Sequence, residues 1–184
     1  MARLQHGDWP DRLWIVRHGQ SAGNVARDAA EEAAAHLIDI DTRDADTPLS
    51  RLGHEQARAL GQWFAAMPAS ARPTVLLTSP FIRSRQTIEA VADALGTDRR
   101  EIAVDERLRE KEFGILDRLT RSGIETLHPD QAEFRRLLGK FYHRPPGGES
   151  WCDVILRLRS ALDTISLHHS GCRVLIVGHQ VVVL

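Results

Sequence analysis

Cysteine and lysine are scarce in this chain, and long apolar runs are missing. The two cysteines, Cys152 and Cys172, show neither a disulfide framework nor metal-ligand spacing, so a reduced, cytoplasmic setting is expected. No stretch is long enough to span a bilayer, and the start, "MARLQHGDWPDR", lacks the apolar core of a signal peptide. A soluble protein without a membrane role follows. Net charge is also lacking: the formal value is −1, which gives no overall field toward nucleic acid or an anionic surface. Lys111 and Lys140 are the only lysines, so the bases are almost all arginine. Arginine's planar fork suits phosphate and carboxylate, but an arginine- and alanine-rich composition names no partner by itself. Internal repeats and low-complexity tracts are absent, and 184 residues fit one domain with a substantial core.

What the sequence does contain is a series of short apolar runs that end in chemistry. In "LWIVRHGQSAGN" (13–24) a buried strand breaks off into Arg17, His18 and Gly19. Residues 25–47 predict a short helix and an exposed acidic loop. Leu52, Leu60, Trp63, Phe64 and Met67 then recur at helical spacing behind the N-cap candidate Ser50. "TVLLTS" (74–79) is a second strand, followed by a helix with Ser79 as predicted N-cap, Pro80 at its first position and Ile82, Ile88, Val91 and Leu95 inward. "EIAVD" (101–105) is a weak third strand. Ser150 and Asp153 predict a capping-box start to a long helix with Trp151, Val154, Ile155, Leu158, Leu162 and Ile165 as its apolar stripe. "CRVLIV" (172–177) is a further buried strand, ending in Gly178 and His179. Strands alternating with helices imply a mainly parallel sheet covered on both faces.

Parallel strands place their C-terminal ends on one edge, where open α/β folds bind ligands. Arg17 and His18, Thr78-Ser79-Pro80 leading to Arg83, and His179 are then able to converge despite their separation in sequence. Each motif is weak alone. Together, two arginines, two histidines and a helix N-terminus form a site suited to a phosphate dianion.

The ordered set resembles the histidine phosphatase superfamily, which includes cofactor-dependent phosphoglycerate mutases and related acid phosphatases. "VRHGQSAGN" is similar to the family's RHG signature with its following asparagine. "LTSPFIRSRQTIEAV" is similar to its S-P-x-x-R-x-x-Q-T segment, "LREKEFG" to its acid-bearing segment, and "IVGHQ" to its second-histidine segment. "YHRPPGGESW" resembles the stretch before the long helix in many members. The resemblance runs from Arg12 to the end and implies a three-layer α/β/α sandwich of the phosphoglycerate mutase type. It implies His18 as the nucleophile, Arg17, Arg83 and His179 around the phosphate, Asn24 as a further contact, and Glu110 as proton donor, preferred over Glu112. Glu149 stays outside the catalytic set. Neither metal nor cofactor is implied. The expected partner is a small phosphorylated molecule; the sequence leaves the oligomeric state open.

These roles agree with elementary chemistry. Imidazole attacks phosphorus only when unprotonated, and neighbouring guanidinium groups lower its pKa. The arginines also hold the equatorial oxygens of the transferring group. The leading expectation is a metal-independent phosphomonoesterase acting through phosphohistidine. A mutase and a non-catalytic phospholigand-binding protein are the alternatives. Residues 106–148 are expected to form a cap that carries specificity. Within it Arg107, Arg109, Arg118, Arg121 and Lys140 are candidates for contact with an acidic substrate, and Phe141 and Tyr142 for the pocket wall. The apolar ending "VVVL" would need a covering helix, so C-terminal elements are expected to be missing.

Overall fold

The computed structural model describes residues 9–183. Residues 1–8, on which the reading of the chain's start largely falls, and Leu184 lie outside the described residues. Four apolar runs form strands β1 (Arg12–Arg17), β2 (Val75–Thr78), β3 (Ala103–Val104) and β4 (Arg173–Gly178). They pair in the order β1-β4-β2-β3, all parallel. Central β4 has strands on both sides and helices on both faces. That is why its run Val174–Val177 is apolar throughout and almost wholly buried.

The helices are α1 (Ala22–Glu32), α2 (Arg51–Ala65), α3 (Ile82–Leu95), α4 (Arg121–Leu127), α5 (Pro129–Tyr142), α6 (Trp151–His168) and the short α7 (Gln180–Val183). The period-two alternation of the strands divides the core. Leu76, Leu175 and Val177 pack with Phe64 of α2 and Ile88, Val91 and Ala92 of α3. Leu77, Val174 and Ile176 point the other way, onto Ala161 and Ile165 of α6. The expected three-layer α/β/α sandwich is therefore the architecture. Among the described residues no helix is long and apolar enough to cross a membrane.

Local signals hold at most helix starts. Ser50 accepts from the Gly53 amide at 3.0 Å, and Ser150 with Asp153 closes a reciprocal capping box. The start of α3 is a correction. Its N-cap position is Phe81, without a side-chain cap. The Ser79 hydroxyl instead accepts from the Phe81 amide two residues on, at 3.3 Å, a local turn that delays the helix past Pro80. The α2 face is a second correction: Leu52 and Trp63 are about half exposed, at 48% and 54%. Buried Gly61 brings α2 close to α3, where a Cβ would lie 2.7 Å from the Ala90 carbonyl. Trp63 lies outside that contact, with its ring edge to face on buried Phe64. Ile155, expected on the inner face of α6, is likewise exposed.

Strand register sets up the site. Arg17 pairs with Gly178, and Thr78 with Val177. The residues just beyond are held by the same ladder, with His18 N donating to Gly178 O at 2.9 Å and Ser79 N to Val177 O at 3.1 Å. The turn after β1 is clamped onto the start of α2. A Cβ on Gly19 would lie 2.5 Å from the Gly53 carbonyl, and one on Gly53 only 1.9 Å from the Gln20 carbonyl. Backbone proximity, not turn conformation, thus requires the glycine of the RHG tripeptide.

Two substitutions test this packing. Phe64→Ala, at a fully buried position, is expected to cost about 3–5 kcal/mol in chemical denaturation. Gly53→Ala is expected to cost about 1–3 kcal/mol, as overpacked sites do, and to lower turnover as well, because the displaced backbone carries His18. Unchanged denaturation midpoints would contradict the packing described.

Candidate active site

A cleft of about 230 Å³ opens over the C-terminal ends of the strands. Its floor carries Arg17, His18 and Arg83, and the N-terminus of α1 contributes Ser21, Gly23 and Asn24. The Ser21 hydroxyl accepts from the Asn24 amide, while Asn24 Oδ1 accepts from Ser21 N at 3.0 Å. This leaves the NH₂ end of Asn24 for a ligand. The positive end of the α1 dipole adds to the preference for an anion.

His18 is buried and its tautomer follows from its partners. Arg83 Nε, which can only donate, lies 3.1 Å from His18 Nε2. Nε2 therefore carries the lone pair, and Nδ1–H donates to the Gly19 carbonyl at 2.6 Å. The pKa is pushed down to about 4, first by burial and then by the charges of Arg83 and Arg17 against the opposing Gly19 hydrogen bond. The sequence suggests the arginines as the cause; burial is the larger one.

Arg83 is itself buried, in the first turn of α3. Its Nη2 donates to Asp44 Oδ2 at 3.1 Å, and its Nη1 lies 3.0 Å from Asp44 Oδ1. Nη1 also donates to the Asp44 carbonyl. The Arg17 side chain makes no hydrogen bond or ion pair among the described residues, so its guanidinium is open to a ligand.

Glu110 lines the cleft. Its pKa is raised chiefly by burial, against the Lys111 amide that Glu110 Oε1 accepts from at 2.9 Å and the charge of Arg83. Glu112 is exposed and off the cleft wall. Glu149 pairs with Arg109 at 2.7 Å and Arg157 at 2.9 Å. Arg157 also donates to the carbonyls of Arg107 and Glu110 at 2.6 and 3.2 Å. That clamp fixes the backbone beside Glu110 while Glu149 itself stays away from the cleft.

His179 sits behind the others. It is fully buried at the end of the central strand and is absent from the cleft wall. Its ring meets His18 edge to face at 5.2 Å. Nε2 lies 2.8 Å from the Ser79 hydroxyl, whereas Nδ1 is buried without a partner. Its pKa is strongly lowered, first by burial and then by the Arg83 charge, so it acts as a neutral imidazole.

The cap differs in detail from the sequence expectation. Of its five basic candidates only Arg118 lines the cleft. Arg107 pairs with Asp105, Arg109 with Glu149, and Arg121 with Glu125, while Lys140 lies over the Trp151 ring. Phe141 and Tyr142 pack edge to face with each other, exposed and away from the cleft. Arg27, Lys111, Phe113, Arg135 and His143 line it instead. Sequence gives little sign of these: Arg27 and Arg135 stand on α1 and α5, and Lys111, Phe113 and His143 come from irregular segments, so tertiary packing and not a local pattern gathers them. Residues 25–47 supply the expected short helix, the C-terminal part of α1, and in the acidic loop after it Asp44 pairs with Arg83, a contact that the pattern does not announce.

Comparison with known proteins agrees with this geometry. The family model for the histidine phosphatase superfamily (branch 1) matches residues 13–184. "Probable phosphoglycerate mutase GpmB" of Yersinia enterocolitica is 31% identical over 170 residues, covering 91% of this chain and 69% of that protein. A mycobacterial glucosyl-3-phosphoglycerate phosphatase in complex with VO3 superposes with TM-score 0.70 at 25% identity, over 94% of this chain and 76% of the other. The alpha-ribazole phosphatase of Shigella flexneri, at 21% identity, shares the fold with TM-score 0.72 over 94% and 75% of the two chains. With the RHG turn, the α3 arginine and the second histidine gathered at one sheet edge, the chain belongs to the histidine phosphatase superfamily.

Proposed function

We propose that this chain hydrolyses a small phosphomonoester through a phosphohistidine on His18, without a metal ion in the reaction. The observation that carries the reading is the fixed tautomer of His18. Its Nε2 lone pair faces the guanidinium that would hold the phosphoryl oxygens, and the opposite nitrogen is tied to Gly19 O. An imidazole with a pKa of about 4 is an available nucleophile at neutral pH.

In the first step Nε2 forms a bond to phosphorus as the P–O bond to the alcohol breaks. Arg17 and Arg83 balance charge on the equatorial oxygens. Glu110 gives its proton to the leaving alkoxide, a role suited to a carboxyl whose burial favours the neutral form. In the second step Glu110 takes a proton from water, which attacks phosphorus and frees His18. His179 backs the nucleophile with a neutral ring, and Asn24 adds a donor at the α1 N-terminus. Residues 106–148 cover the site and supply specificity. The cleft joins cationic Arg27, Arg118 and Arg135 to apolar Ile38, Ile40, Leu116 and Leu119, which fits a phosphorylated metabolite with an apolar portion. The unpaired thiols of Cys152 and Cys172 fit a reducing, cytoplasmic setting.

Three measurements test the reading. Protein quenched during turnover of labelled substrate is expected to keep an acid-labile label that His18→Ala lacks. Release of phosphate without isomerisation of monophosphoglycerate primed by bisphosphoglycerate separates hydrolysis from the mutase reaction. Arg83→Ala is expected to lose about 3 kcal/mol of transition-state stabilisation in kcat/KM, as on removal of one oxyanion donor; a wild-type rate would refute the site.

The pH profile has a definite sign. His18 must be unprotonated, so its own contribution to the acid limb of kcat/KM is expected near pH 4 and not near 6.5, where an ordinary histidine titrates. It lies below the separate fall at about pH 6 as the phosphomonoester dianion takes up a proton. Glu110 must be protonated in the first step, so activity falls as pH rises through its elevated pKa. Glu110→Gln is expected to remove that upper limb and to slow alkyl phosphates more than p-nitrophenyl phosphate, whose leaving group needs no proton.

A further inference from the structure

The acidic side chain seated directly on Arg83 runs against the chemistry of an anion site. Asp44, in the 3-10 segment Asp44–Asp46, takes both terminal nitrogens of Arg83 through its carboxylate, and its carbonyl adds a further contact to Nη1. Since Nε is bonded to His18, every donor nitrogen of Arg83 is engaged. The two nitrogens best placed to fork a phosphoryl group already hold an oxyanion.

We propose that Asp44 is a specificity-determining carboxylate, seated on Arg83 in the free protein, which a phosphoryl dianion must displace to bind. The inference rests on the phosphatase reading above, because it needs Arg83 to be the phosphate ligand. It also adds to that reading. Asp44 imposes on every ligand the work of breaking an ion pair, and only a ligand that pairs more strongly than a carboxylate overcomes it. Phosphomonoester dianions qualify. Monoanionic oxyanions such as sulfate esters gain nothing in the exchange.

The two partners differ in the way displacement requires. The Arg83 side chain is 5% exposed and that of Asp44 45%. A released Asp44 carboxylate returns to water easily, whereas Arg83 stays buried and must be paired again at once. The loop around Asp44 has other anchors. Thr47 is buried and its hydroxyl donates to the Arg43 carbonyl at 3.0 Å. Arg43 pairs with Asp46, and Arg118 donates to the Thr42 carbonyl at 3.0 Å. Asp44 can therefore swing away without the loop coming loose. While seated, its charge also favours the protonated form of Glu110, the form needed to meet substrate.

The test compares wild type with Asp44→Asn and Asp44→Ala, using inorganic phosphate and p-nitrophenyl sulfate as probes in calorimetry, with no turnover required. Both variants are expected to bind phosphate about fivefold to tenfold more tightly, the fold-change that follows from removing a partly exposed ionic competitor. They are also expected to bind p-nitrophenyl sulfate, which wild type does not. In turnover of p-nitrophenyl phosphate, KM should fall in step with the phosphate dissociation constant while kcat moves less. A structural role would instead raise KM and lower kcat together. Equal or weaker phosphate binding by both variants, with wild type binding phosphate normally, overturns the role of Asp44 alone. Failure of all three proteins to bind phosphate overturns the phosphate-site reading and this inference with it.

Discussion

A single hydrogen bond, from Arg83 Nε to His18 Nε2 at 3.1 Å, organises the chemistry of this protein. A guanidinium cannot accept, so its presence dictates which imidazole nitrogen is bare. The Gly19 carbonyl completes the assignment from the other side of the ring. A nucleophile thus becomes available because both of its nitrogens are committed to defined partners. Burial helps by disfavouring the imidazolium, and the positive charge of Arg83 acts in the same direction. The group that would hold the phosphoryl oxygens is also the group that keeps their attacker unprotonated.

That bond depends on register. His18 and Arg83 are far apart in sequence and meet because β1, β4 and β2 run parallel and end level, with Arg17 opposite Gly178 and Val177 opposite Thr78. A slip of one residue between β1 and β4 would turn His18 to the opposite face of the sheet. Continuous apolar burial of β4 makes such a slip costly, since it would carry Val174 to Val177 out of their packing layers. The core therefore sets the geometry of the proposed site directly. The glycine contact between Gly19 and Gly53 extends this control to the turn that carries the histidine.

The sheet edge was legible in the sequence because strands have a period and an end. "LWIVRH", "TVLLTSP" and "CRVLIVGH" each stop the apolar run where the chain leaves the core, and parallel pairing brings those stops together. Capping spacing at Ser50 and Ser150 worked for the same reason: it is local. Ser79 failed as a cap because its hydroxyl is bonded to the Phe81 amide and to His179 from another strand, the second of which no local pattern reveals. The cleft wall was harder still. Arg135 and Arg136 are adjacent in sequence, yet Arg135 reaches the cleft while Arg136 pairs with Glu133 on the surface. The direction each takes is set by how α5 packs on α4 and α6, and that packing leaves no periodic trace. Asp44 was missed because an acidic loop reads as solvated, and its value lies in one long-range partner.

Two of the carboxylates that line the cleft, Glu110 and Asp44, meet opposite requirements in the proposed mechanism, and position separates them. The proposed role of Glu110 needs a proton, and burial there penalises its charge. Asp44 has to carry a charge, so it sits partly in water with its oxygens on a guanidinium. A buried arginine with no counter-ion is costly to a fold, and an anion site built on one must solve that problem whenever no substrate is present. Asp44 solves it by being an anion on a tether. Binding then becomes an exchange of one anion for a stronger one, and the same exchange run backward helps phosphate to leave. Affinity is given up for selectivity and release, a sound compromise where product resembles substrate at the very group the site recognises.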